Sequence, residues 1–413
     1  MSLPAGRLWS YDLEAGEDGA SLPVSFDQAR HVGAGDRPGS WMALALRHTT
    51  IDRGRLGLAW ERLVSRHGTL RTAFHPRTGG AVSLREIPLG AGEWVEHEVD
   101  AGDVRRSLRS LLDARCRPFG RPSHLLTVVE HPDSITLVLA SDHAHVDMWS
   151  LAVLVRDLLV LIDDPDAPLE TVRSFAAHTT ALEQMPPAPQ DVRDEWARIL
   201  RDGGDVMPRF PLPLGDVSAP GDAVVVVRDV LDADGLATLH ARARAVGVSP
   251  LALALSAMTQ ASLDLAGAPL RAVFPVHSRF EDAWRETVGW MITNSVLESD
   301  DPDPRACQAA VKRSLRLGSW PLAELLAPWG GMPEAPGMFA ASWLDSSRLP
   351  VDPADAERAQ YVSASIRTDG VMIWFITNPS GLHLRCRYPD TPEARASVGT
   401  WLDTVVASID QPL

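Results

Sequence analysis

Lysine is nearly missing from this 413-residue chain: Lys312 is the only one, and arginine supplies the rest of the 39 basic residues. Alongside abundant alanine, glycine, proline and aspartate, that reads as a coding bias and carries no function. Positive charge is also short overall. Against 54 acidic residues the formal net charge is −15, which argues against a nucleic-acid partner, since that wants a basic face, and against docking on anionic lipid. An acidic carrier protein would meet no broad attraction either. Such docking needs a local arginine patch, which a sequence cannot display.

Cysteine is scarce and unpatterned. Cys116, Cys307 and Cys386 are odd in number, far apart and without C-x-x-C spacing, which supports neither a disulfide framework nor a zinc knuckle. No window holds the ~18 consecutive apolar residues of a membrane-spanning helix. The start, MSLPAGRLWS, lacks the basic and apolar regions of a signal peptide. No glycine-rich phosphate loop is present. The expectation is a cytoplasmic, reduced monomer without a metal or a bound organic cofactor. What remains is ordinary globular material, 45% hydrophobic and 23% charged, long enough for two or three domains or subdomains.

Periodicity predicts a mixture of strands and helices. Trp41 to Arg47 reads as a strand, and Leu56, Leu58, Ala59, Leu63 and Val64 recur at helical steps until Gly68, which suits a C-terminal cap. Leu70 to Phe74 resumes as a strand and Val104 to Cys116 as a helix. Leu125 to Val129 and Ile135 to Ala140 form an antiparallel pair, followed by an apolar helix from Leu151 to Ile162. Further helices fit 172–182 and 192–200. Between Pro186 and Asp222 the chain turns rich in proline and glycine and loses its period. After it, Ala223 to Leu231 is β-rich, Asp232 and Ser249-Pro250 each open a helix, and Ala272 to Val276 is a strand. A helix over 304–315, strands over 338–344, 371–377 and 382–388, and a final helix over 392–409 complete an α+β chain. The expected division is 1–190, a linker at 191–222, and 223–413.

The chemistry concentrates in Ser141 to Ser150, where two histidines and two carboxylates sit between a strand and a helix. Strand ends that feed loops project side chains into clefts. An ordinary polar loop is one reading. A metal site is another, since His143 and His145 share a face of an extended strand; it needs further ligands, and no second His-x-His or Glu/His pair stands out. The third is proton transfer, in which a histidine near neutral pKa takes a proton from an acceptor hydroxyl or amine.

Asp142-His143-Ala144-His145-Val146-Asp147-Met148-Trp149-Ser150 resembles the His-His-x-x-x-Asp-Gly-Trp-Ser motif of condensation domains from nonribosomal peptide synthetases. It also resembles the shorter His-x-x-x-Asp-Gly form of chloramphenicol-acetyltransferase-like acyltransferases. Arg66-His67-Gly68-Thr69-Leu70-Arg71-Thr72-Ala73-Phe74 looks like that superfamily's Arg-His-x-x-Leu-Arg-Thr-x-Phe segment. Arg279, followed by Val288-Gly289-Trp290-Met291-Ile292-Thr293-Asn294, is similar to its arginine and Val-Gly-x-Phe-x-Asn stretch. The segment Pro23 to Gln28 with His31, Ser342 to Asp345, and Arg387 to Pro392 resemble the free-standing polyketide-associated acyltransferases of actinobacteria.

The resemblance implies two chloramphenicol-acetyltransferase-like subdomains, each an α/β sandwich, set in a V around a central tunnel. It implies His143 as the general base and Asp147 as a structural residue, salt-bridged to Arg279 across the subdomain gap. Met148, Trp149, His145, Asn294 and Trp290 are candidates for the tunnel wall. Packing is the competing role for both tryptophans, local hydrogen bonding that for His145, and His67 and Arg71 belong to a folding element. The implied activity is acyl transfer in natural-product or lipid biosynthesis. An acyl group would pass from coenzyme A or a carrier protein's phosphopantetheine to an alcohol or amine, giving an ester or amide. An acyl or peptidyl carrier protein and a small-molecule acceptor are the implied partners. Two departures open an alternative. Met148 replaces the motif's glycine, which should narrow the tunnel or tilt the loop, and Asp-Phe-Gly-Trp-Gly is missing from Ser342 to Pro350. The alternative is a degenerate domain that recruits a carrier protein or partner enzyme.

Overall fold

The computed structural model describes residues 5–49, 51–351, 359–364 and 366–410. Its elements run β1 (Arg7–Ala15), β2 (Ser21–Leu22), α1 (Phe26–Gly33), β3 (Trp41–His48), α2 (Arg53–Arg66), β4 (Thr72–Pro76), β5 (Val82–Glu86) and β6 (Leu89–His97). They continue with α3 (Val104–Arg115), β7 (His124–Glu130), β8 (Ile135–Asp142), α4 (Met148–Asp163), α5 (Phe175–Glu183) and α6 (Gln190–Asp202). Next come β9 (Ala223–Asp232), α7 (Ala233–Val246), α8 (Pro250–Ala266), β10 (Leu270–His277), β11 (Ile292–Ser299), α9 (Pro304–Leu317) and α10 (Leu322–Leu325). The last are β12 (Phe339–Asp345), β13 (Ala359–Ser363), β14 (Val371–Asn378), β15 (Gly381–Pro389) and α11 (Pro392–Asp410).

These elements separate into two compact units. One comprises Met1–Gln184, Arg279–Met291 and Leu349–Ser365; the other comprises Met185–Ser278, Ile292–Arg348 and Ile366–Leu413. The division differs from the contiguous one expected, because the first unit recruits two distant segments. One of them supplies β13, which pairs antiparallel with β3. The stretch expected as linker is also structured. Val192, Trp196, Ile199 and Leu200 form the buried stripe of α6, and Met207, Phe210 and Leu214 beyond it are buried as well. Hydrogen bonds from Met207 to Pro333 and from Phe210 to Gly337 tie that stretch to the second unit.

The first unit is built on a six-stranded antiparallel sheet in the order β13-β3-β8-β7-β1-β6, with a small β2-β5-β4 sheet beside it. Every residue of β8 is buried, as a strand enclosed on both faces requires, and its continuous apolar run follows from that. Helices α2 and α4 share the core. Leu56, Trp60 and Leu63 of α2 and Leu151, Leu154 and Leu158 of α4 cluster with Leu137 and Leu139 of β8. Each such side chain contributes about 1.5–3 kcal/mol on burial. Gly68 does not cap α2. The helix ends on His67 in an extended conformation, and Gly68 opens a 3-10 turn through Arg71, so β4 starts at Thr72.

The second unit carries a mixed sheet in the order β11-β10-β12-β14-β15-β9, parallel at β10/β12 and β12/β14. Leu239, Leu255, Val311 and Trp401 of its helices share one core with Ile373 and Leu384 of its strands. Gly247 and Gly267, at φ 75° and 61°, end α7 and α8 in the left-handed conformation that glycine adopts freely. No single helix among the described residues is long and apolar enough to cross a membrane; α7 and α8 pass that test only as a pair bent by 92°.

Candidate active site

The site begins where β8 stops. Asp142, fully buried, is the last strand residue, and its carboxylate turns the chain: Oδ1 accepts the Ala144 amide at 2.9 Å, while the His145 amide donates to the Asp142 carbonyl at 3.0 Å. This tight turn puts His143 at its apex. Two residues of the N-terminal segment hold it from outside. Gln28 of α1, fixed by a reciprocal cap with Ser25, donates its side-chain amide to the Ala144 carbonyl at 2.8 Å. The Ser40 carbonyl accepts the His143 amide at 3.0 Å.

The His143 ring is oriented by one bond. Its Nδ1 lies 2.9 Å from the Val146 carbonyl oxygen, which can only accept, so Nδ1 carries the proton and Nε2 is left with the lone pair. Nε2 makes no hydrogen bond among the described residues. The ring stacks on Trp290 at 3.9 Å between centroids and 21° between planes. Burial, and then the neighbouring His31 ring 6.0 Å away, hold the imidazole pKa below its ordinary value. The neutral, proton-accepting form therefore prevails at neutral pH.

A second network sits behind it. The Arg37 guanidinium donates to His31 Nδ1 at 3.1 Å, so His31 Nε2 bears the proton and faces Asp142 at 3.2 Å. The Ser40 hydroxyl also donates to Asp142. Burial alone would raise the Asp142 pKa; the His31 and Ser40 donors outweigh it and hold the carboxyl below its usual range.

Asp147 does different work. As the N-cap of α4 it accepts the Ser150 amide at 2.7 Å. Arg279 forks onto it, at 2.7 and 3.0 Å, and also reaches the Ser150 hydroxyl at 3.0 Å and the Thr287 carbonyl at 3.2 Å. The Met291 amide donates to the same carboxylate at 3.1 Å. Burial pushes the Asp147 pKa up, but the Arg279 charge and hydrogen bonds outweigh it and keep the carboxyl ionised. The pair was expected to cross a subdomain gap. Instead both residues belong to the first unit, because the segment from Arg279 to Met291 is fastened to the start of α4.

No protein-family model matches the chain. Its sequence is 25% identical over 373 residues to acyltransferase PapA3 of Mycobacterium tuberculosis, covering 82% of this chain and 76% of that one. Its fold matches the solved structure of the PapA2 acyl transferase with a TM-score of 0.86 at 17% identity, over 100% and 98% of the two chains. The first condensation domain of the CDA synthetase matches at 0.73 and 17%, over 95% and 97%. In sequence and fold the chain is similar to condensation-type acyltransferases.

Seen as a condensation motif, the loop divides its residues cleanly. His145 was a candidate for the tunnel wall, and the structure corrects this. At 1% exposure, against Phe74 and with Nδ1 3.3 Å from the Thr72 hydroxyl, it has no surface for a substrate. The turn at Asp142 breaks the strand alternation that would have put it beside His143. Met148 is the first residue of α4, and among the described residues Asp205 is the only one besides glycines with positive φ. The backbone at Met148 therefore does not require the motif's glycine, and the expected tilt of the loop has no backbone cause. Trp149 donates its indole N–H to the Arg285 carbonyl at 2.8 Å and lies under Arg279, a packing role. Trp290 is the ring on which His143 rests. Asn294 lies in the other unit, on β11 opposite Pro275.

Sequence reasoning did not assign roles to His31, Arg37 and Ser40. The readable signal was Ser25-Phe26-Asp27-Gln28, a capping-box spacing that marks the helix carrying His31. Among the described residues no group of three His, Cys, Asp or Glu side chains is placed to hold a metal.

Proposed function

We propose that this chain transfers an acyl group from a thioester to an alcohol or amine, with His143 as the general base. One observation carries the reading: a neutral imidazole, its Nδ1 proton committed to Val146, presents an unpartnered Nε2 lone pair. Nε2 takes the proton of the acceptor O–H or N–H as that atom attacks the thioester carbonyl. The new C–O or C–N bond forms, the C–S bond breaks, and the imidazolium returns its proton to the departing thiolate. The fixed tautomer lets one nitrogen perform both transfers. General base catalysis of this kind contributes about 10²–10⁴-fold. Asp147 holds no proton in this scheme; it and Arg279 keep the loop in place.

The donor thioester would be carried on coenzyme A or on a carrier protein's phosphopantetheine, in natural-product or lipid biosynthesis, with no bound cofactor. The match to acyltransferase PapA3, which covers 76% of that protein, supports a free-standing enzyme. The test is a panel of acyl-CoA and acyl-carrier thioesters offered with amines and alcohols, with product followed by mass. Turnover that falls by two orders of magnitude or more in His143→Ala fits the scheme; equal turnover removes His143 from the chemistry. If no donor turns over while a carrier protein still binds, the chain is a recruiting domain.

A further inference from the structure

A cluster of three arginines is present in the first unit. A hollow of about 170 Å³ is lined by Arg66, His67, Arg71, Arg173, Ser174 and Phe175 among others, and no acidic side chain lines it. Arg66 is fixed, with Nε 2.9 Å from the buried carboxylate of Asp157 and another nitrogen on the Glu170 carbonyl. Arg71 and Arg173 are exposed and form no ion pair among the described residues. Arg173 is steadied only by the Trp284 ring, 5.0 Å from its guanidinium carbon. In a chain of net charge −15, two unpaired guanidiniums beside a third at one hollow ask for an anion.

Two further features point the same way. Helix α5 starts at the hollow: the Ser174 hydroxyl takes the Ala177 amide at 3.1 Å, which leaves the Phe175 and Ala176 N–H groups without an intrahelical partner. His67 is 2% exposed. Its Nε2 lies 3.0 Å from Asp157, while Nδ1, on the other side of the ring, is buried without any hydrogen-bond partner. A buried ring nitrogen of this kind calls for a partner from solvent or ligand. A water molecule occupies about 30 Å³ of liquid volume, so the hollow has room for a polyatomic anion.

We propose that this hollow binds a phosphate group, either as the free anion or as part of a phosphoester. Three arginines lining one hollow, beside the free N–H groups that open α5, suit a tetrahedral anion with several acceptor oxygens better than a flat carboxylate. The site stands whether or not the chain transfers acyl groups, and it gives Arg71, a residue of the Arg-His-x-x-Leu-Arg-Thr-x-Phe segment, a role beyond folding.

The test is calorimetric titration of the full chain with inorganic phosphate, coenzyme A, and pantetheine as the phosphate-free control. Saturable binding of inorganic phosphate is expected, weakened about tenfold or more in Arg71→Ala and again in Arg173→Ala. Neither residue is ion-paired, so the unliganded melting temperatures should match wild type, and Arg71→Lys should recover part of the affinity. Coenzyme A tighter than phosphate, with the same sensitivity to both substitutions, identifies a phosphoester ligand; equal affinities identify the free anion. Absence of saturable phosphate binding by wild type, or undiminished binding in the Arg71→Ala/Arg173→Ala double variant, overturns the proposal.

Discussion

Replacing Arg279 by alanine isolates what the Asp147 carboxylate costs to bury. The substitution deletes four hydrogen bonds, two of them to Asp147, made by a side chain that is 3% exposed. Asp147 keeps the Ser150 and Met291 amides but loses its counter-charge. Breaking one side of a buried ion pair costs about 3–5 kcal/mol, because the partner charge is left uncompensated. For a unit of about two hundred residues, at about 2–4 °C per kcal/mol, the melting temperature should drop by about 6–20 °C. The sign of the pH dependence follows from the carboxyl. In wild type its pKa is depressed, so its contribution is present above the unfolded value near 3.9 and is lost as pH falls through the folded pKa. Without Arg279, burial prevails and the pKa rises, so protonation relieves the variant before it weakens wild type. The gap in urea midpoints between wild type and Arg279→Ala should therefore shrink as pH falls from 7 toward 4. Asp147→Asn combined with Arg279→Ala should be less destabilised than the two single changes summed. A gap that stays constant with pH, together with additive single effects, would refute the buried-charge argument and leave only lost packing.

Gly289→Ala should destabilise the first unit by about 1–3 kcal/mol or more, because the new Cβ would lie 2.2 Å from Cδ2 of Phe175; thermal melting at wild-type level would contradict the contact. Leu139→Ala, at the centre of β8 and 1% exposed, should cost about 2–5 kcal/mol in urea denaturation. His124 and His145 are buried, and burial pulls each pKa down to about 4. Their folded pKa values lie below the unfolded value near 6.5, so the unfolded chain binds more protons between these limits. Stability should then fall from pH 6.5 toward 4 by on the order of a few kcal/mol. In the His124→Gln/His145→Gln variant that slope should flatten; an unchanged slope assigns it to other groups.

What could be read from the residues was whatever a local period or a motif encodes. The buried run of β8, the apolar helix that follows, and the pairing of β7 with β8 were legible because neighbouring residues determine them. Asp147 and Arg279 were legible only through resemblance, since 132 residues separate them. Of the network behind His143 only the capping-box spacing that marks the helix of His31 was legible. Ser40 and His31 reach Asp142 from more than a hundred positions away, and nothing local distinguishes that serine from its neighbours. Strand β13 escaped for the same reason, since its partner β3 lies some three hundred residues earlier. The shared face that the metal reading gave His143 and His145 is lost, because strand alternation applies only until Asp142 bends the chain.

The same geometry gives Asp147 duties that position 148 lacks. A general base works only if its lone pair is held still and left unprotonated. Val146 fixes the His143 tautomer, but Val146 is itself positioned by the residue that follows it, and that residue is the N-cap of α4. Asp147 locks the helix start through the Ser150 amide and, through Arg279 and the Met291 amide, locks the segment that carries Trp290. Trp290 then covers one face of the imidazole, excluding water from it and adding to the burial that holds its pKa down. The Asp147 carboxylate thus supports the orientation of the ring and its cover. The residue at position 148 has none of these duties, since its backbone is ordinary helix. Its side chain is therefore free to vary, and Met148→Gly is expected to change which acyl donors or acceptors are used while leaving the melting temperature within about 4 °C of wild type. For a first-turn glycine that allowance corresponds to at most about 1 kcal/mol. A collapse of stability in Met148→Gly, or an unchanged preference across the thioester and acceptor panel, would show that position 148 serves the fold and not selection.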